Sequence, residues 1–578
     1  MLDRALRYAR TLRHLRPEQL AYLPLRRLQA RLPLPRTGPG LVVDPARAAP
    51  LAAEAAAWGP GDAAARVACA DEVRAGVFRF LNHAETFPGS PDWTARHGGH
   101  LWSYHLHYFA YAVDLAWAWR IAGDEAYARR FESLATGWIR ATADGRGDGW
   151  EPYALATRIV RWAEALILFG DGIGGDARGE IGRSLWRQLA VLERRLERHL
   201  LANHLQRDLQ ALAVGGLLFD GPDAARWRRV GTRGLWRALD EQVLGDGGHF
   251  ERSPMYHAVA LEDFLRSAAL LRAAGEQMPG AAEERLRRMT RALGVLSRPD
   301  GTLHLFNDAA QGEAPRRADL DALARHVLGE GVPADPGPLE LPETGYFGWA
   351  GGGTRLLADC GIPGPAYQPG HAHCDLLSFE LDLGGRPVVV DAGVRGYEGD
   401  PFRAYARSTR AHNTVMVDGR EQSEVWGTFR VGGRASPVDP VLHGDGYGAV
   451  FEGGCRPWHA PRTVHRRRIE VRDGHCAVTD RVEGSAGAPL ESWIHFHPEF
   501  AVRREGDGWI AERPGQAVAL ETWGADETTL HPGERDPVQG WHFPEFGRAL
   551  SAPALCLRVH ANDGRAFGCR ISPGRSTA

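Results

Sequence analysis

Three things are scarce in this chain, and each scarcity closes off a class of function. Cysteine is the first. Seven residues, Cys69, Cys360, Cys374, Cys455, Cys476, Cys556 and Cys569, are scattered over 578 positions with no C-x-x-C pair. That odd, unspaced set is neither a disulfide framework nor a zinc ribbon. It fits a reducing compartment, or an envelope protein that does not depend on disulfides. Long apolar runs are the second absence. No stretch is long enough for a membrane-spanning helix. The N-terminal segment has no uninterrupted apolar core, because Arg4, Arg7, Arg10, Arg13 and Arg16 break it. A secretory signal is therefore not expected, which points to the cytoplasm. Charge of one sign is the third. A net charge of -3 gives no global drive toward nucleic acid or membrane, so affinity for an anionic ligand must come from local clusters. Neither a P-loop nor a dinucleotide fingerprint is present.

What is there reads as an ordinary globular protein of two or three domains, 44% hydrophobic and 24% charged. In residues 1–49 the recurring arginines alternate with Leu6, Leu12 and Leu15. This basic arm reads either as an amphipathic helix touching anionic lipid or as a solvated helix packed on the body, the preferred reading. From 50 to 331 the apolar period is three to four. Leu101–Ile121 carries Trp102, His105, Tyr108, Phe109 and Val113, and Ala154–Phe169 and Ile181–Phe219 continue in the same manner. Glycine-rich breaks separate these segments and suggest helical hairpins, as a bundle or a toroid. Residues 332–344, with Pro333, Pro336, Pro338 and Pro342, read as a linker. Over 345–578 the period becomes two, and Asp473-Gly474 between alternating segments marks a hairpin. Helices followed by strands, without βαβ alternation, predict a helical domain and then an antiparallel β-sandwich.

Polar residues concentrate in a few places. His371 and His373 are two apart, so on a strand they share a face. Asp391 closes a Val run, and His412 precedes Thr414-Val415-Met416-Val417. Imidazole and carboxylate are zinc ligands, and imidazole is also an acid–base group, so a metal site, a catalytic site or both are indicated. In the helical half, Asn203 pairs by spacing with Arg207, and His204 with Asp208. Ser253 is a natural N-cap with Pro254 behind it, which sets Tyr256 in a first helical turn where the macrodipole favours anions. Trp93, Trp102, Tyr104, Tyr108, Trp150, Tyr153 and Trp162 could wall a sugar site, although aromatics at helical spacing more often form core. Arg158, Arg403, Arg407 and Arg410 could face an acidic polymer; solvated surface charge is the alternative.

Taken in order, Asn203-His204-Leu205, Glu251-Arg252-Ser253-Pro254-Met255-Tyr256-His257, His371-Ala372-His373-Cys374-Asp375, Asp391-Ala392-Gly393 and Arg410-Ala411-His412-Asn413-Thr414 resemble the heparinase II/III family of polysaccharide lyases. The resemblance implies an α+β multidomain fold: an incomplete α/α toroid followed by an antiparallel β-sandwich, with the cleft between them. It implies β-elimination on a uronic-acid-containing, anionic glycan. Position by position, Asn203 looks like the residue that neutralises the uronate carboxylate, with His204 beside it. Tyr256 looks like the base, or the acid serving the leaving oxygen, and His371 like its partner in proton transfer. Arg207, Glu251, Trp102, Tyr104, Arg158 and Arg410 are expected to touch substrate. His373, Asp391 and His412 resemble ligands of a mainly structural zinc. The opening segment is similar to members linked to bacterial exopolysaccharide or surface-glycan production, which makes the cell envelope the alternative location. A uronyl C5-epimerase, a silent metal-stabilised glycan-binding protein and a zinc hydrolase are the competing readings. No nucleic-acid partner is expected, and a homodimer is left open.

Overall fold

The computed structural model describes residues 2–29, 32–35, 38–39, 45–333 and 336–574. The arm consists of α1 (Leu2–Leu12) and α2 (Pro17–Gln29). The helical region proper begins with α3 (Pro45–Ala57), α4 (Ala63–Arg74), α5 (His100–Tyr108), α6 (Ala110–Ala122) and α7 (Glu125–Ala141). It continues through α8 (Pro152–Phe169), α9 (Gly175–Arg194), α10 (Ala202–Gly215) and α11 (Pro222–Gln242). The last three are α12 (Pro254–Ala273), α13 (Gly280–Leu296) and α14 (Arg317–Leu328).

The sequence sorts these helices into two rows. Helices α6 and α8 are apolar nearly all round and are buried along most of their length, as a helix walled on every side must be. They pack side by side with α10 and α12. Helices α7, α9, α11 and α13 have one apolar stripe each and cover that row from outside. The segment Leu101–Ile121, which reads as a single helix, is broken at Phe109 into α5 and α6. Phe109 adopts a left-handed φ of 58° and is fully buried. Burying its ring among Trp93, Trp138 and Trp162 offsets the cost of a conformation that L-residues rarely take.

The C-terminal region is built from antiparallel sheets. Strands 337–341, 346–351, 354–359, 379–383 and 386–389 form a five-stranded meander. A four-stranded sheet in the order 527–531, 554–559, 490–495, 415–417 extends this layer through a bridge between Val389 and Phe496. An eight-stranded sheet, from 436–444 at one edge to 501–505 at the other, lies opposite. Phe379, Leu381, Ile494 and Leu555 from one layer meet Phe451, Ile469, Val478 and Ile571 from the other in a shared core. Each such fully buried side chain contributes about 1.5–3 kcal/mol. Asp473 and Gly474, with φ of 52° and 76°, turn the hairpin between 464–472 and 475–483.

One predicted boundary changes. The segment read as a linker, 332–344, becomes an edge strand from Gly337 onward; Pro338 is tolerated there because an edge strand has a side without ladder partners. The arm does pack on the body, as preferred, and it reaches both regions. Arg7 and Arg10 pair with Glu424, and Tyr8 meets Trp426 edge-on at 4.9 Å. Buried Gln19 donates to the carbonyls of His199, Leu200 and Tyr367.

Candidate active site at the junction of helices and sandwich

The site is assembled where the first turns of α10 and α12 meet loops of the sandwich. Ser253 caps α12: its hydroxyl accepts from the Tyr256 amide at 3.2 Å and donates to the Asp308 carbonyl at 2.7 Å. This places the Tyr256 ring 3.9 Å, centroid to centroid, from that of His371. The Tyr256 hydroxyl lies 2.8 Å from the hydroxyl of Tyr397, a sandwich residue. Asn203 enters from α10 just after Leu201 and Ala202, both left-handed at φ 63° and 50°. Its backbone N–H donates to Glu251 Oε1 at 3.4 Å, and the other oxygen of that buried carboxylate is 3.9 Å from His371 Nε2. The Asn203 side-chain amide has no hydrogen-bond partner among the described residues and is half-buried.

The structure therefore brings Asn203, Tyr256, His371 and His204 to one place. It does so without the strands expected to carry the histidines. Residues 371–375 are irregular loop, Asp391 follows a strand, and His412 follows a short 3-10 turn. What aligns His371 and His373 is Asp308, which sequence reading missed. This fully buried carboxylate accepts from His371 Nδ1 at 2.9 Å and His373 Nε2 at 2.8 Å, and it pairs with both terminal nitrogens of Arg403. Burial pushes its pKa up, but Arg403 and the two histidines override that and hold it well below the carboxylate range. With Nδ1 committed to Asp308, His371 presents Nε2 as its free nitrogen. The available signal was polar Asn307-Asp308 directly after the largely apolar stretch Leu303-His304-Leu305-Phe306. Tyr397, in the glycine-flanked loop after Asp391, was missed as well.

Electrostatics separate the roles. Burial, then Tyr397, raises the Tyr256 pKa well above its ordinary value, outweighing any help from the helix terminus, so the phenol rests protonated. Glu251 is also raised by burial. His204 binds Glu197 through Nδ1 at 2.9 Å; desolvation opposes its charge, yet Glu197 prevails and raises its pKa. The ring of His204 ends an aromatic row: Tyr153 at 4.8 Å, then Tyr108 at 6.0 Å, then Tyr104 at 6.3 Å and nearly parallel to Tyr108. All three tyrosines are half-buried.

Several expected substrate contacts are already engaged within the protein. Arg207 is buried, paired with Asp263 at 2.8 Å and bonded to Gln210, so its charge is already matched. Arg158 is fully buried over the Trp138 ring at 3.8 Å and donates to Gln188 and the His107 carbonyl. Trp102 is core, its indole donating to the His83 carbonyl. Arg410 neighbours Tyr405 and Cys556 in the sandwich. Arg403 grips Asp308, and buried Arg407 donates to the carbonyls of Ala372, Gly427 and Arg430. Tyr104 stays at the site, in the aromatic row, and Glu251 stays beneath it.

The metal set also shifts. His373, Asp375 and His412 place one ligand atom each within 4.8 Å of one another. His373 Nδ1 and His412 Nε2 are buried with no hydrogen-bond partner, a costly state that a cation would relieve. Asp391 instead accepts from His412 Nδ1 at 2.9 Å, orienting that ring from behind. Two imidazoles and a carboxylate fit a divalent metal of the zinc type.

Comparison with known proteins agrees with this architecture. Residues 80–324 match the model for the heparinase II/III N-terminus, and 333–570 that for the heparinase II/III-like C-terminal region. A heparin-sulfate lyase of Pedobacter heparinus is 26% identical over 74% of this chain and 68% of its own. FtsZ-localized protein C of Caulobacter vibrioides is 26% identical over 71% of this chain and 72% of its own. A crystal structure of heparinase III superposes with a TM-score of 0.69 at 17% identity, covering 89% of this chain and 85% of that one. With both regions matched in order around a shared junction, the chain belongs to the heparinase II/III family.

Proposed function

We propose that this protein is a polysaccharide lyase that cleaves a uronic-acid-containing glycan by β-elimination at C5. The observation that carries the reading is the meeting of a free amide, a neutral phenol and a carboxylate-oriented imidazole at one half-buried place. Heparin-sulfate lyases among the relatives, and an alginate lyase of Stenotrophomonas maltophilia 27% identical over 35% of this chain and 30% of its own, support the reaction class.

Residue chemistry assigns the roles. The C5 proton of a uronate is weakly acidic, because removing it adds charge beside a carboxylate. The Asn203 amide and protonated His204 would bind that carboxylate and stabilise the enolate-like transition state. His371 Nε2, its ring held by Asp308, takes the proton. The C5–H electrons form the C4–C5 double bond, the C4–O4 bond breaks, and Tyr256 delivers its proton to O4. The raised pKa keeps Tyr256 protonated at rest, so it holds the proton that O4 needs and does not start as the base. Glu251 acts through Asn203 and His371 as a positioning residue. Tyr104, Tyr108 and Tyr153 would meet the apolar faces of neighbouring sugars. A zinc-type ion at His373, Asp375 and His412 would supply cross-linking of the loop that carries His371 and no chemistry in the reaction.

Site variants assayed against uronate polymers test the reading. Tyr256→Phe should lower kcat by about 10²–10⁴ while keeping substrate affinity, and Asn203→Ala should lose both. Full turnover by Tyr256→Phe would exclude the assignment.

A further inference from the structure

The arm carries a surface that the reaction does not use. Of the twelve large apolar side chains left exposed among the described residues, seven are leucines between Leu6 and Leu32, at 38–61% exposure. The other five are spread from Ile121 to Tyr447. Clustering of this kind marks an interaction face, whereas isolated exposed leucines need no explanation.

Helix geometry shows that the leucines are not failed core. At 100° per residue, the contacts that dock α1 (Arg7, Tyr8, Arg10 and Thr11) lie on one side. Ala5, Leu6, Ala9, Leu12 and Arg13 fall on the other. In α2, Gln19, Tyr22 and Arg26 face the body, while Leu20, Arg27 and Leu28 lie away from it and exposed Leu23 stands at the edge between the two sides. Docking is already complete, and the leucines remain outside it.

Charge selects the occupant. Residues 1–32 hold eight arginines against Asp3 and Glu18, in a chain whose net charge is -3. Arg13 and Arg27 have no carboxylate partner among the described residues and flank the leucines, whereas Arg4 lies on the docked side over the Tyr8 ring. A second copy would bring arginines against arginines, which like-charge repulsion opposes. A polyanion would use the arginines and leave the leucines in water. We propose that the outward face of the arm docks on an anionic lipid bilayer, with leucines entering the interface and arginines meeting lipid phosphates. Because the inward face holds the carbonyls of His199, Leu200 and Tyr367, just ahead of Asn203 and His371, the docked arm would carry the active site at the membrane surface.

Vesicle sedimentation of the full chain tests this. Vesicles of phosphatidylcholine mixed with phosphatidylglycerol should bind the protein at least tenfold more strongly than phosphatidylcholine alone. Each arginine near an anionic surface contributes about fivefold, so Arg13→Glu with Arg27→Glu should weaken binding more than about tenfold. Leu20→Ser with Leu28→Ser should do the same in low salt. Thermal unfolding of both variants should stay at the wild-type midpoint, which confirms that they fold. Equal weak partitioning to both vesicle types, or wild-type binding by the leucine variant, would overturn the proposal. So would a dimer in vesicle-free sedimentation velocity that the leucine variant dissolves, since a second copy would then cover the face.

Discussion

Replacing Asp308 by asparagine separates orientation from charge more cleanly than any other change at this site. The side chain keeps its shape, but one acceptor oxygen becomes a donor and the negative charge disappears. Arg403, with only 2% of its side chain exposed, then has no ionic partner. Stranding one member of a buried pair costs about 3–5 kcal/mol, so the variant should be folded but markedly less stable. The catalytic loss has another origin. His371 Nδ1 loses the carboxylate that fixes its tautomer and leaves Nε2 as the free base. In serine-protease triads the equivalent change lowers kcat about 10⁴-fold, and a fall of about 10²–10⁴ is expected here. The assay is ultraviolet absorbance of the unsaturated product, read well below the unfolding midpoint. Asp480→Asn is the control. It strands buried Arg467 and loses a bond to His465 in the same sandwich, so it should cost similar stability and leave kcat intact. If folded Asp308→Asn turned over like wild type, the argument that this carboxylate sets the working nitrogen of His371 would be wrong.

Three further outcomes are expected. Glu380 is held at a pKa of about 2 rather than 4.5: burial raises it, but Arg298 first and then His304 outweigh that. Because the folded pKa is depressed, its contribution of about 3 kcal/mol is present above about pH 4.5 and lost as pH falls toward 2. Urea unfolding across that window should show the loss, and Glu380→Gln should remove that part of the pH dependence. Chelation should lower the thermal midpoint of wild type and leave His373→Ala with His412→Ala unchanged, because a bound ion at a hundredfold excess over its dissociation constant adds about 2.7 kcal/mol. Arg207→Ala should destabilise by about 3–5 kcal/mol by stranding buried Asp263, with KM on the glycan within about twofold of wild type.

Periodicity was enough to divide helices from strands, because inner helices apolar all round and alternating sandwich strands differ in the pattern they impose on a sequence. It failed at Phe109, where tertiary burial overrode local propensity, and at 337–341, where an edge strand accommodated prolines. At the site, the cap Ser253 with Pro254 was informative because it sets Tyr256 in a first helical turn. Asn203 was read inside one segment, Ile181–Phe219, that the structure breaks so that Asn203 falls in the first turn of α10. The loop 371–375 was misread as a strand because alternation of His371 and His373 mimics one. Arg158 and Arg207 were read as substrate contacts because a cation buried against its own partners looks the same in sequence as one open to a ligand. Its partners, Gln188 and Asp263, are distant along the chain. The role of Asp308 was missed for the same reason: three of its partners lie more than sixty residues away.

The central claim is that Asn203, Tyr256 and His371 together remove a C5 proton and expel O4. Product analysis after incubating purified protein with uronate polymers in heavy water tests it most directly. The account predicts fragments whose new non-reducing end carries a C4–C5 double bond, and their loss in Tyr256→Phe. Fragments whose new non-reducing ends are saturated, or deuterium entering C5 of uncleaved polymer, would contradict it.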